Sequence, residues 1–187
     1  RHEVLSLLEN VLEMDRIPEE PRFAVQFKTA KTVHKGIQLQ VLNSRLTALL
    51  EKAGIIAVTM KGSAVARFYP VPEYRKTTDL DLFIASANDV GKAVRILKDN
   101  GFASFGKWHA NHHIVLVSGK NEVVELHTTW AEAFKEKHLN QYLERCQKES
   151  VQHVHLVEWQ GLQMYAYETA WQGFYLLLHM LQHFVGS

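Results

Sequence analysis

Asp79 and Asp81 are separated by one residue in the run Thr78-Asp79-Leu80-Asp81-Leu82-Phe83. In an extended strand, residues two apart point to the same face with α-carbons about 6.5 Å apart, so the two carboxylates project together while Leu80 and Leu82 face a core. Two carboxylates so close repel, and where phosphates are handled a bound Mg²⁺ or Mn²⁺ usually compensates the charge. An isolated Asp-x-Asp is more often a solvated strand than a site, so the pair takes its meaning from what surrounds it.

Met60-Lys61-Gly62-Ser63 stands ahead of the pair at a predicted strand-to-helix junction, and Glu125 stands on a later strand. A glycine at such a junction lets backbone amides approach a phosphate, and the following helix turns its positive end toward the same place. Lys61 adds charge. Arg75 offers a fork matched to phosphate oxygens, or equally an ion pair with Glu73. Glu122 competes with Glu125 for the role of third acid. Alternation favours Glu125, because Val124 and Leu126 then face the core while Glu125 and His127 share the opposite face. His127, with His112 or His113, is a candidate for lining a substrate pocket or carrying a proton. His179 and His183 lie four apart on one helical face and could bind zinc, but no Glu follows His179 to complete His-Glu-x-x-His, which favours packing.

The elements that position these residues follow from periodicity. Residues 3–14 place Val4, Leu7, Leu8, Val11 and Leu12 at helical spacing, and Pro18 and Pro21 break the pattern. A second stripe, from Phe23 through Phe27, Ala30, Val33, Ile37 and Val41 to Leu42, Leu46, Leu49 and Leu50, predicts a helix with one apolar face that ends at Gly54, with Gly36 able to kink it. Strand and helix then alternate. Strands are expected over 55–60 and 78–85, with a short helix over 62–68 between them. Ser86-Ala87-Asn88-Asp89 has capping-box spacing for a helix ending near Asn100-Gly101. A hairpin is expected from 113–117 and 122–127 around the turn 118–121, then a helix over 130–148, an added strand over 151–158, and a long buried helix over 162–185.

The chain has 187 residues, 47% of them hydrophobic, which is enough for one main core with a small helical appendage. The expected fold is α/β (α+β): a small mixed sheet flanked by helices. Its parts are an N-terminal helical segment (1–53), a catalytic core (54–130) and a C-terminal helical segment with one added strand (131–187). With 21 Lys+Arg against 20 Asp+Glu, the bulk charge does not suit a surface for long nucleic acid or anionic membrane. The single cysteine, Cys146, excludes an intramolecular disulfide and fits a reducing compartment, so a cytoplasmic location is expected. No signal segment is evident, and the apolar run 171–185 is short for a membrane span and carries His179 and His183. Without an initial methionine, and ending just after an apolar segment, the sequence reads as a trimmed or partial copy of a longer protein.

Gly62-Ser63, Asp79-Leu80-Asp81 and Glu125 together resemble the pattern of the nucleotidyltransferase superfamily typified by DNA polymerase beta. More narrowly, Lys61-Gly62-Ser63, Tyr69-Pro70, Arg75, Asp79-Leu80-Asp81-Leu82 and Glu125-Leu126-His127-Thr128-Thr129-Trp130 resemble an uncharacterised bacterial nucleotidyltransferase family, over residues 42–130 and more loosely to 183. The resemblance implies a polymerase-beta-like fold and a metal-dependent enzyme that moves a nucleoside monophosphate from an NTP, ATP by expectation, to a hydroxyl of a small molecule or peptide. It implies that Asp79, Asp81 and Glu125 are catalytic and bind Mg²⁺ or Mn²⁺, and that Lys61, Gly62, Ser63 and Arg75 hold the triphosphate. Three readings compete with it: nucleotidylation of a protein or tRNA, a catalytically silent nucleotide-binding module, and a histidine-based metal hydrolase.

Overall fold

The computed structural model describes residues 5–9, 12–105 and 113–185, without the side chains at 5, 8, 183 and 185. The β-branched and apolar runs after Gly54 become strands of one mixed sheet: β1 (Ala57–Thr59), β2 (Leu80–Ile84), β3 (Phe102–Ser104), β4 (His113–Ser118), β5 (Val123–His127), β6 (Val154–Trp159) and β7 (Leu162–Tyr167), in the spatial order β3-β4-β5-β2-β1-β7-β6. The described helices are α1 (Leu5–Leu8), α2 (Glu19–Glu51), α3 (Ser63–Ala66), α4 (Ala87–Asp99), α5 (Lys137–Ser150) and α6 (Thr169–Val185). None of them is long and apolar enough to cross a membrane.

Side chains alternate across the central strands, so the sheet has two different faces. Leu80, Leu82 and Ile84 of β2, with Val124 and Leu126 of β5, pack against Leu39, Leu42, Leu46 and Leu50 of α2 and Val90, Ala93 and Leu97 of α4. On the other face Val58, Met60 and Phe83 meet Trp130, Tyr167 and, from α6, Tyr175 and Leu178. The expected mixed sheet flanked by helices is present, and its acids lie on this second face.

The structure departs from expectation in several places. Residues 3–14 were expected to form one helix; the described part is α1 followed by a single 3-10 turn at Met14–Arg16. The α2 helix is unbroken at Gly36, which is buried where a side chain would meet the Glu73 carbonyl oxygen at 3.6 Å. A glycine costs a helix only about 1 kcal/mol, which the packing of α2 outweighs. The single apolar stripe resolves into two faces. Leu39, Leu42, Leu46 and Leu50 are buried, whereas Phe23, Phe27, Ile37 and Val41 are exposed, Phe23 at 68%. Ser86 precedes α4 without the side-chain bond of a capping box; its carbonyl accepts from the Asp89 amide instead.

Further departures fall at the C-terminal side. The helix expected from Trp130 starts at Lys137, because Asn140 clamps the preceding segment by bonding both the amide and the carbonyl of Phe134, each at 2.8 Å. The helix expected over 162–185 is a strand and then a helix. Gln160 and Gly161 both have positive φ, 53° and 73°, as a tight hairpin turn requires, so β7 folds back on β6 and adds to β1 in parallel. Residues 131–187 therefore supply two strands of the sheet rather than one. The α6 helix is also not buried all round: Leu177, Met180 and Phe184 are exposed.

The two faces of α2 make a direct test. Leu46→Ala removes a side chain with no exposure and is expected to lower unfolding free energy by about 2–5 kcal/mol. Phe27→Ala, at 52% exposure, is expected to change it by about 0.5 kcal/mol or less. Urea denaturation of both variants checks the assignment.

Candidate active site

The parallel register of β2 and β5 sets Asp81 opposite Glu125 and Phe83 opposite His127, so two acids and an imidazole project from neighbouring strands on one face. The β4–β5 hairpin register sets His113 opposite His127; His112 lies outside the described residues. The rings of His113 and His127 are 5.3 Å apart. Glu122 is occupied at the hairpin end, where it accepts from the Ser118 hydroxyl at 2.8 Å. Glu125, by contrast, lies directly across from Asp81.

His127 Nε2 lies 3.0 Å from Asp81 Oδ1 and 3.4 Å from Glu125 Oε2, and Lys61 Nζ lies 2.9 Å from the same Asp81 oxygen. Asp81 is only 2% exposed. Burial by itself would raise its carboxyl, but the hydrogen bond from His127 and the charge of Lys61 hold it below the ordinary value. The His127 hydrogen bond likewise lowers Glu125. For His127, burial disfavours the charged ring, yet its bonds to Asp81 and Glu125 raise it above the usual value. Asp79 sits just before β2 and behaves oppositely: burial, then the charges of Asp81 and Glu125, push its carboxyl up.

Asp81, Glu125 and His127 offer ligand atoms all within 4.8 Å of one another. Asp79 adds its charge beside this group without belonging to it. The donor set fits a divalent cation. Adjacent ligands of an octahedral ion at 2.0–2.1 Å are about 3 Å apart, and the two His127 distances are close to that. In the structure the Lys61 ammonium supplies the compensating positive charge.

The remaining expected residues divide. Gly62 has φ 55° and ψ −117°, a conformation reserved for glycine, and an added Cβ would stand 3.2 Å from Thr77 Cγ2. It brings the chain from Lys61 close against the loop before Asp79. Ser63 is buried at 5% exposure and borders a small void with Gln40, Asn43 and Met164, while α3 is a single turn whose dipole is correspondingly small. Arg75 Nη1 donates to Thr77 Oγ1 at 2.8 Å, and Glu73 accepts instead from Gln160 at 3.1 Å.

A cavity of about 650 Å³ opens beside the acids, with Lys61, Glu125 and His127 on one wall and Trp130, Phe134 and Tyr175 on another. Trp130 Nε1 donates to the Tyr167 hydroxyl at 3.0 Å, and Gln172 Nε2 to the Met60 carbonyl at 2.6 Å, which ties α6 to the strand end that leads into Lys61. Burial pushes Tyr167 up to about 12 and raises Tyr175 as well. His179 also lines the cavity. The side chain of His183, its expected neighbour, lies outside the described residues. Sequence reasoning did not single out Phe134 and Tyr175 as cavity walls, because the segment that carries Phe134 was read as helix and the long helix that carries Tyr175 was read as buried all round.

The chain belongs to the uncharacterised nucleotidyltransferase family, whose family model matches residues 1–187. No curated protein matches it. Two solved structures are among those similar in fold. One is an antigenic nucleotidyltransferase-like protein from Paracoccidioides brasiliensis, with 20% identity, 71% of this chain and 62% of that chain covered, and a TM-score of 0.45. The other is the lincosamide antibiotic adenylyltransferase LnuA in its lincomycin-bound form, with 12% identity, 72% and 82% covered, and a TM-score of 0.46. The match spans less than two thirds of the Paracoccidioides protein.

The site's electrostatics separate its two aspartates. Asp81→Asn takes the charge from the partner shared by buried His127 and partly buried Lys61 and is expected to destabilise the protein by about 3 kcal/mol. Asp79→Asn removes a repelled charge and is expected to raise the melting temperature in the absence of divalent cations.

Linkage sets the pH profile. Asp81 and Glu125 lend stability that is whole above their ordinary values, 3.8 and 4.5, and is lost as pH falls through their lowered folded values. His127 lends stability that is whole below 6.5 and is lost as pH rises through its raised folded value. Melting temperature against pH, measured with chelator, is therefore expected to fall at both ends, and His127→Gln to flatten the alkaline limb.

Proposed function

We propose that the protein transfers a nucleoside monophosphate from an NTP, ATP by preference, to a hydroxyl of a small molecule or peptide, with Asp79, Asp81 and Glu125 as its catalytic and metal-binding acids. The observation that carries this reading is the parallel register that seats Asp81 beside Glu125, which lines the cavity together with Lys61, the partner of Asp81. Family membership supports the reaction class. When bound, Mg²⁺ or Mn²⁺ would be held by Asp81 and Glu125, with Asp79 turning in from the loop before β2 to join them, and would polarise the transferred phosphate and the attacking hydroxyl.

The chain's own groups do the rest. The acceptor oxygen attacks the α-phosphorus, the bond from that phosphorus to the bridging oxygen breaks, and pyrophosphate leaves. Charge grows on the leaving group, and Lys61 with Arg75 neutralises it. The Gly62 backbone, free of a side chain, lets the triphosphate approach, and Ser63 heads the turn behind it. The hydroxyl proton passes to a carboxylate.

The volume of the cavity, about 650 Å³, matches a drug-sized acceptor, and its aromatic wall suits an apolar ring or peptide side chain better than a nucleic-acid backbone. His127 and His113 stand where they would contact the acceptor. A reducing cytoplasm, which supplies NTP and Mg²⁺, also suits the single free cysteine.

The test is incubation with α-labelled NTPs and Mg²⁺ or Mn²⁺, supplying hydroxyl-bearing small molecules and peptides in one arm and proteins and tRNA in another. Label is expected in the first arm, to vanish with Asp81→Ala and Glu125→Ala, and to fall about 10²–10³-fold with Lys61→Ala. Label confined to protein or tRNA would overturn the acceptor class. No transfer and no triphosphate binding under any condition would overturn the reaction.

A further inference from the structure

We infer that His127 is a nitrogen ligand of the cation held by Asp81 and Glu125, and that the site therefore prefers Mn²⁺ to Mg²⁺. The inference rests on the reading of this cluster as a cation site, and it assigns His127 a different role from lining the acceptor pocket.

Geometry comes first. One atom, His127 Nε2, faces both carboxylates, at 3.0 and 3.4 Å, and these separations match neighbouring corners of an octahedron around a small divalent ion, about 3 Å apart. The arrangement is built into the sheet. His127 follows Glu125 by two residues on β5, so the pleat returns it to the same face, and the parallel register with β2 carries its ring over Asp81. The ring is held in place, with only 7% of the residue exposed and His113 beside it.

Donor chemistry comes next. Lys61, a second basic group at the cluster beside His113, carries an ammonium that compensates Asp81 but has no lone pair to offer a metal. With that charge in place, a neutral imidazole at 127 can present its Nε2 lone pair to the ion. Mg²⁺ favours an all-oxygen shell, whereas Mn²⁺ stands between the hard oxygen-seeking ions and the imidazole-binding transition metals and accepts a mixed set of two carboxylates and one imidazole. A bland arrangement of the same atoms also exists, in which His127 is a protonated bridge between two acids and leaves the first coordination shell to oxygen alone.

Electron paramagnetic resonance distinguishes the two, with Mn²⁺ alone as the probe. Spin-echo modulation of the Mn²⁺-loaded wild-type protein is expected to show a directly bound ¹⁴N nucleus, which persists in His113→Asn and disappears in His127→Asn. Titration is expected to show Mn²⁺ bound at least about tenfold more tightly than Mg²⁺, with His127→Asn erasing most of that difference. Mn²⁺ bound without nitrogen modulation, nitrogen modulation lost only with His113→Asn, or no Mn²⁺ binding would each overturn the assignment. The wild-type spectrum decides even if a variant fails to fold. It is also independent of turnover. Nitrogen-bound Mn²⁺ without nucleotidyl transfer would sink the proposed reaction and leave this inference standing, and transfer with an all-oxygen cation shell would do the reverse.

Discussion

Asp81 and Glu125 are neighbours across a parallel strand pair, and their separation is set by the backbone ladder rather than by either side chain. Strands in a sheet lie about 4.8 Å apart, so acids at paired positions on one face cannot move away from each other without breaking the ladder. At 2% exposure Asp81 cannot turn to water either. The charge must be met locally. Lys61 and His127 meet it, and each arrives by its own constraint: Lys61 from the end of β1, which runs antiparallel to β2, and His127 two residues beyond Glu125. Gly62 turns the chain away immediately after Lys61 in a conformation open to glycine, so the lysine stays beside Asp81 while the main chain leaves the sheet.

The rest of the fold keeps that arrangement fixed. The leucines of α2 and the apolar face of α4 press on the back of β2 and β5, which pins the register that puts odd-numbered residues of both strands on the front. On the front, the sheet is closed by aromatic packing rather than by a second layer of leucines. Trp130, Tyr167 and Tyr175 form the seam, Gln172 fixes α6 to the Met60 carbonyl, and Asn140 holds the segment before α5 open as a cavity wall. The pocket and the acid cluster thus share their supports. A slip of β5 by one residue would turn Glu125 and His127 into the leucine core and destroy both.

Much of this was legible in the sequence because strand alternation is a rigid rule. Leu80, Leu82, Val124 and Leu126 identified the buried face, and the acids followed on the other. The hairpin around 118–121, expected from its turn-rich residues, is present, and alternation puts Glu125 on the face of Asp81 while Glu122 is held by Ser118 at the hairpin end. What was not legible depended on long-range pairing. Leu162–Tyr167 is apolar enough to serve as either helix or strand, and only its partners β1 and β6 make it a strand; the turn at Gln160-Gly161 was the local signal available. The one stripe read along α2 mixed two faces, since Phe23, Phe27, Ile37 and Val41 lie at helical spacing but point away from the sheet. The position of His127 between two carboxylates, and the rise in Asp79 against the fall in Asp81, depend on burial and distance, which periodicity does not carry.

The proposed nucleotidyl transfer depends on a divalent cation held at the Asp81–Glu125 seam. Anomalous diffraction from crystals grown with Mn²⁺ and a non-hydrolysable NTP analogue locates that cation. The expected result is a manganese peak within coordination distance of both the Asp81 and Glu125 carboxylates, with the triphosphate lying toward Lys61 and Gly62. Manganese located only elsewhere on the protein, or a triphosphate bound away from these residues with the seam free of metal, would contradict it.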